Sequence, residues 1–361
     1  MVRRWFAAFV LAVLAVRPTS GRPAEPPPLP FRVEAATSAP ERAARTSSAA
    51  YRGPLFDTHA HLDPDSAHET ASADAVRRAM DLAKVDRLIL LPTPNAGRTR
   101  GMDAALARMR ELRASSSGRI ALLCGGDLTD WMNSAFFTPG EAETARRMAR
   151  LAGELNEGCA GIGEIGFRHY DKTRVGAQLV IALPAAYPPL LAIAEAAGRA
   201  HVPLDLHAEP VEPDGKRHED EVFGTIGLMF QHAPELRLIL SHTAMTNARN
   251  ARALLAAYPT LMMNVNFAKH RHGMWLGLEP VSDAAGRLYE DWAALFEEMP
   301  QRFMVGSDMF FSRVADPEDD YRRRIRNVRR CLGSLAPQAA RRIAYENAAR
   351  VFAMPVASAG R

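Results

Sequence analysis

A closed (β/α)₈ barrel, the TIM barrel, is the fold class this sequence predicts. Eight short apolar runs alternate with helical patterns along the chain. Several of the runs are continuously apolar, as in Leu88-Ile89-Leu90-Leu91, which suits parallel strands buried on both faces. Metal-binding residue types close five of the runs, and the C-terminal ends of the strands are where barrel enzymes keep their chemistry. The 361 residues, 47% of them hydrophobic, suffice for one barrel of about 250 residues and exclude a globally disordered chain.

Ahead of the barrel, Arg3 and Arg4 precede the apolar stretch Trp5–Val16. That is the layout of a secretory signal peptide, whose apolar core runs about 7–15 residues; a membrane span needs about 20. Residues 1–21 are therefore expected to direct export, to the periplasm, with no stable membrane anchor. Small residues at Thr19-Ser20-Gly21 precede the expected cleavage point, although an Ala-x-Ala site is absent. Residues 22–52 are rich in Pro, Ala and Ser, with Pro26-Pro27-Pro28 near the front, and are expected to form a disordered linker. The barrel domain is expected over 53–355.

The first strand, Leu55–Thr58, runs into Asp57-Thr58-His59-Ala60-His61, and a helix follows over Ala71–Lys84. Arg87–Pro92 is the second strand and Met102–Arg113 its helix. Ile120–Gly125 is the third, followed by Gly140–Glu157. The fourth, Ala160–Glu164, ends in Gly161-Ile162-Gly163-Glu164, with a helix at Pro188–Ala200. Pro203–His207 and Arg237–Ser241 are strands five and six, each leading to a histidine, with helices at Asp220–Gln231 and Asn247–Ala257. Leu261–Asn266 is the seventh strand, before a helix at Asp283–Glu298, and Phe303–Ser307 the eighth, ending at Asp308. A final helical region spans Pro317–Phe352, broken near Gly333. Its arginines, Arg322 to Arg330, read as the solvated face of an amphipathic helix. Repeated β-then-α order implies a parallel sheet in a single domain.

His59 and His61 are two apart, so a strand presents both to one side and both can reach one ion. Neutral imidazole suits Zn²⁺, among other transition metals. Glu164, in an apolar glycine-rich segment, needs a partner to offset its desolvation, which a metal or a cation would supply. His207, His242 and Asp308 complete a candidate ligand set of six. Asp308 also has the chemistry to take a proton from an attacking water. His242 would ligate a second ion or hydrogen-bond a developing oxyanion.

On these residues the chain resembles the amidohydrolase superfamily, in its amidohydrolase-related branch, from Phe56 to Phe352. Asp57-Thr58-His59-Ala60-His61-Leu62 is similar to the family's first-strand motif. His207 and His242 match its strand-five and strand-six histidines, and Gly306-Ser307-Asp308 its last-strand aspartate. Tyr345-Glu346-Asn347-Ala348-Ala349-Arg350-Val351-Phe352 resembles the helix that often ends such domains. Gly163-Glu164-Ile165-Gly166 is closer to TatD-type nucleases and phosphotriesterase-like members, where an acidic or carbamylated group bridges two ions. The resemblance implies a metal-dependent hydrolase with one divalent ion, or two if Glu164 bridges.

Residues beyond the strand ends are candidates for substrate binding: Arg168, His169 and Tyr170 after strand four, and Lys269, His270 and Arg271 after strand seven. Their positive charge would suit an anionic substrate. Trp131, with Phe136 and Phe137, is a candidate wall or lid, as are Met309, Phe310 and Phe311. Arg3, Arg4 and Arg17 account for three units of the net charge of +4, so the remainder carries only +1. That speaks against a nucleic-acid partner and for a small-molecule substrate, with a homo-oligomer open. A metal-dependent decarboxylase, a TatD-like phosphoesterase and a non-catalytic degenerate barrel are the rival readings. Cys124, Cys159 and Cys331 are expected to be small buried hydrophobes, neither bridged nor ligating.

Overall fold

The protein is described from a computed structural model over residues 28–34, 43–46, 49–62, 73–94, 99–134, 140–170, 181–212, 214–267, 280–283 and 285–354. Lys269, His270, Arg271, Phe136, Phe137 and the expected signal peptide lie outside them.

Eight parallel strands close into a TIM barrel: β1 Phe56–His61, β2 Arg87–Leu91, β3 Ile120–Cys124, β4 Gly161–His169, β5 Pro203–Ala208, β6 Arg237–Leu240, β7 Met262–Val265 and β8 Phe303–Val305. Each pairs with its sequence neighbour, and β8 closes the ring against β1 through Val305 and Asp57. Leu88, Leu90, Leu122, Leu204, Leu206, Leu238 and Leu240 face the helices and form the outer core with them. A second apolar cluster joins Phe56, Ile89, Leu123, Ile239 and Met304 to Tyr345, Ala348 and Phe352 of the C-terminal helical segment. The Phe56 ring meets Tyr345 at 5.9 Å and Phe352 at 6.0 Å, so the end of the chain plugs the barrel's base.

The helices form where their apolar faces require. Over Pro317–Leu332, Tyr321, Ile325 and Val328 are buried while Arg322, Arg323 and Arg326 face outward; Asp316 caps its start through the Asp319 amide at 2.9 Å. The helix expected from Asp283 begins instead at Glu290. Asp283 accepts from the amides of Ala285 and Arg287, and Gly286 sits at φ +75°, so this stretch closes a turn. The short strand Leu288–Tyr289 follows and pairs with Ala44–Arg45.

Three expectations are corrected. Strand four runs five residues beyond Glu164, because Arg168 and His169 pair with Ile181–Ala182. The 22–52 segment is not a free linker in its described parts. Phe31 packs on Phe223 at 6.3 Å, Glu34 exchanges backbone hydrogen bonds with Asn250 at 2.9 and 3.0 Å, and Arg45 pairs with Glu290 and Glu297. Its scattered apolar and charged anchors, too sparse to form a pattern, each find a complement on the barrel. Finally, Cys124 and Cys159 are bridged, with Cα atoms 5.9 Å apart. Their positions at opposite ends of neighbouring strands argued for separation, but that Cα distance lies within disulfide reach.

Candidate metal centre

Two register shifts aim the central side chains. Between Asp57 and Ala60, β1 advances three residues while β2 advances two, Leu88 to Leu90. Between Ile162 and Ile165, β4 advances three against two on β5. An extra residue reverses the alternation of faces beyond it, a device common beside active sites. Asp57 thus turns toward the helix layer, where its carboxylate accepts from Tyr321 Oη at 2.8 Å and the Ser307 amide at 2.8 Å. His59 and His61 turn into the mouth.

Glycine makes the crowding possible. Gly163 has φ +141°, and a Cβ there would lie 2.7 Å from the Asp205 Cβ. At Gly306 a Cβ would lie 2.9 Å from the His59 Cβ. Such approaches exclude any larger residue. The turn after β6 carries His242, Thr243, Ala244 and Met245 at φ between 46° and 58°, in the left-handed region that costs non-glycine residues energy. Asn264 Oδ1 holds this turn by accepting from the His242 amide at 2.8 Å. Asp308 is also left-handed, its amide donating to His59 O at 2.8 Å.

The six candidate side chains converge. His59 Nε2 and His61 Nε2 are 3.1 Å apart. Glu164 Oε2 is 3.5 Å from His59 Nε2 and 3.6 Å from His61 Nε2. Asp308 Oδ1 is 3.4 Å from His61 Nε2, and its Oδ2 is 3.7 Å from His242 Nε2. Glu164 Oε1 meets His207 Nδ1 at 2.7 Å and lies 3.9 Å from His242 Nε2. Donors on a tetrahedral ion with bonds of about 2.0–2.1 Å sit about 3.3 Å apart. Most spacings here fall near that value and exceed hydrogen-bond length, so the donor set fits a divalent cation. Two groups of three ligand atoms each lie within 4.8 Å of one another: His59, His61 and Asp308; and His59, Glu164 and His242.

The charges support one another. Burial pushes the Glu164 carboxyl up, but the charges and hydrogen bonds of His59 and His207 outweigh it and hold the carboxyl well below its usual range. Burial lowers His59, yet Glu164 and Asp205 raise it well above the ordinary imidazole value. His207 is likewise lowered by burial and raised further by Glu164 and Glu209.

The ring orientations are fixed from behind. His61 Nδ1 lies 3.2 Å from Leu91 O, which leaves Nε2 facing inward. His59 Nδ1 faces Asn264 Nδ2 at 3.1 Å and Asp205 Oδ2 at 3.5 Å. Asp205 is in turn bonded by Ser241 Oγ and Asn264 Nδ2. Such outer partners set tautomer and basicity in metal-binding histidines.

The outlying candidates divide. His169 is drawn in, its Nδ1 2.9 Å from Glu209 Oε1 and 3.3 Å from His207 Nε2. Arg168 is buried, with its guanidinium paired to Glu221 and bonded to Tyr170 Oη at 2.9 Å, so its charge is already matched. Burial lowers its pKa, but the bonds to Glu221 and Tyr170 raise it overall. Trp131 is buried in the core beneath the Arg147 guanidinium, 5.9 Å from the ring centroid. Of Met309, Phe310 and Phe311, only Phe310 borders the centre, stacked on His61 at 4.4 Å; the other two are fully buried. Within the arginine-rich helix, Arg324 donates to Ser307 O at 3.3 Å and Asp308 O at 3.2 Å, bracing the loop that carries Asp308.

Asp205, Glu209, Asn264 and Asn266 escaped the sequence reading. Their signal was period-two spacing: Asp205, His207 and Glu209 alternate along one strand and its extension, as do Asn264 and Asn266 along another. Attention to strand ends alone passes over them.

Residues 56–354 match the amidohydrolase family, and the chain belongs to it. A candidate amidohydrolase from Staphylococcus aureus aligns over 84% of this chain and 100% of its own, with 15% identity and a TM-score of 0.51. An uncharacterized TIM-barrel protein from Bordetella bronchiseptica aligns over 83% and 99%, with 11% identity and a TM-score of 0.51. A candidate metal-dependent hydrolase from Lactobacillus casei aligns over 86% and 98%, with 12% identity and a TM-score of 0.51. These likenesses speak to the fold alone. No curated protein matches the chain in sequence. By family and donor set the protein is a metal-dependent enzyme of the hydrolase type that acts on small molecules. Among the described residues no helix is long and apolar enough to cross a membrane.

Proposed function

We propose that this enzyme hydrolyses a small amide, ester or lactone with water activated at a two-ion centre, most suitably zinc. One observation carries the two-ion reading: the oxygens of Glu164 face different histidine pairs. Oε2 faces His59 and His61, whereas Oε1 faces His207 and His242. Glu164 would then be shared by two ions, one held by His59, His61 and Asp308 and the other by His207 and His242. Bound divalent metal supplies Lewis acidity, bringing the pKa of water toward about 7 and polarising the scissile carbonyl.

The chain's own groups do the rest. Asn266 Nδ2 donates to Asp308 Oδ2 at 3.2 Å and so orients the carboxylate as an acceptor. Asp308 takes the proton of the attacking water and returns it to the leaving group. Phe310 covers one face of His61 and limits water there. With Arg168 committed to Glu221, a neutral substrate suits the described part of the mouth better than a strongly anionic one. Export to an oxidising compartment agrees with the Cys124–Cys159 bridge.

A screen of lactones, amides and phosphoesters with metal-loaded enzyme tests the reaction class. Carbon dioxide release from aromatic carboxylic acids, without hydrolysis of any of these, would replace the hydrolase with a decarboxylase. Glu164→Gln is expected to lower metal stoichiometry from two to one; unchanged stoichiometry would remove the bridge.

A further inference from the structure

We propose that the N-terminal arm, residues 28–34, is a strap that clamps the strained turn carrying His242, with Asn250 as the positioning residue on which it closes. The proposal rests on the reading above only in assigning His242 to the site. Along the arm, Leu29, Phe31 and Val33 are partly buried against the barrel's core, while Pro28, Pro30, Arg32 and Glu34 are exposed. That alternation is the period of an extended strand laid on a support. The support is a groove beside the helix Glu219–His232, lined by Gly224, Gly227, Phe230 and Tyr258 together with Leu29 and Pro30. Phe31 continues the contact on Phe223.

The arm ends on the residues that follow the turn. The Glu34 amide donates to Asn250 Oδ1 at 2.9 Å, and Asn250 Nδ2 donates to Glu34 O at 3.0 Å, across 216 positions of sequence. One side-chain amide thus pairs with the arm's backbone as a neighbouring strand would. Asn250 is buried, so these bonds satisfy polar atoms that water does not reach. Asn250 Nδ2 also lies 3.3 Å from Thr246 Oγ1, and Asn247 Nδ2 donates to Glu34 O at 3.3 Å. Arg249 adds an ion pair to the Glu34 carboxylate at 2.6 Å. The left-handed residues, 242–245, therefore lie between two holds. Asn264 grips the front through the His242 amide, and Asn250 with the arm grips the rear at Thr246 and Asn247. Backbone of this kind persists only where its surroundings over-determine it. The competing reading is that the arm merely covers an apolar groove. It accounts for Leu29 and Phe31, but not for the bonds of Glu34.

The test is hydrogen–deuterium exchange on the full-length protein, read by mass spectrometry on a peptide covering 241–250 and on a control peptide covering β2. Asn250→Ala and Phe31→Ala strike the clamp from its two sides. Each is expected to speed exchange in the turn about 10-fold, the scale of one or two lost hydrogen bonds, while β2 keeps the wild-type rate. Asn250→Asp keeps the acceptor for the Glu34 amide and should recover part of the protection. Equal acceleration in both peptides, or none in the turn, would overturn the proposal, since the arm would then be a cover only. Titration of chelator-stripped protein with Zn²⁺ gives a second readout. Asn250→Ala is expected to weaken zinc binding about 10-fold, and His242→Asn at least as much. Weakening in His242→Asn alone would overturn the positioning role of Asn250. Wild-type affinity in His242→Asn would instead reject that histidine as a ligand, and the two-ion reading with it, while the exchange rates would still decide the clamp.

Discussion

Phe56 and His59 are three residues apart on one strand, yet they belong to opposite ends of the barrel. Phe56 stacks into the base with Tyr345 and Phe352, in a dry cluster closed by the C-terminal helical segment. His59 sits in the mouth among imidazoles, fully buried between the carboxylates of Glu164 and Asp205. The register shift between Asp57 and Ala60 lets both face the barrel interior, one toward each end. The base makes stability from apolar area. The mouth gathers like-charged carboxylates and left-handed backbone, which oppose folding unless a cation or a proton offsets them. Stability and chemistry thus occupy opposite rims of one sheet.

The largest effect that sharpens this contrast is on the mouth. Asp308→Asn is expected to lower kcat by about 10²–10⁴-fold while circular dichroism stays native, as loss of a general base should. A variant with full activity would remove Asp308 from proton transfer. The base should respond the other way. Phe352→Ala is expected to cost about 3–5 kcal/mol in urea unfolding and to leave zinc stoichiometry untouched. Loss of a bound ion in that variant would show that the two ends are coupled.

The smallest effect lies on neither rim. In the turn before Leu288–Tyr289, burial raises the Asp283 carboxyl, but its bonds with Arg287 and the Ala285 amide outweigh that and leave it below its usual value. A folded-state pKa below the unfolded one means that this contribution is complete above the unfolded value of about 3.9. It is lost as pH falls through the lower folded value. Asp283→Asn should therefore flatten the acid limb of the unfolding midpoint below about pH 4 without shifting activity at neutral pH. An identical acid limb in the variant would show that other carboxylates govern it.

Much of the architecture was legible because its signals are local. The helix at Pro188–Ala200 has the expected bounds, since proline starts it and apolar spacing carries it. The six ligand candidates were legible because histidine and acid at the ends of apolar runs stand out against their surroundings. Arg168 was misplaced in a loop because Ile181–Ala182, which pairs with it, is only two residues long. The Cys124–Cys159 bridge spans 35 residues with no local mark.

By itself, then, the sequence determined the order of strands and helices and marked the candidate donors, because periodicity and residue type act over a few neighbouring positions. Only the tertiary structure decided which faces those donors present. Asp57 was turned outward to Tyr321, 264 residues away, and the oxygens of Glu164 were divided between two histidine pairs. Such choices depend on register and on contacts between distant strands, and no window along the chain contains both partners.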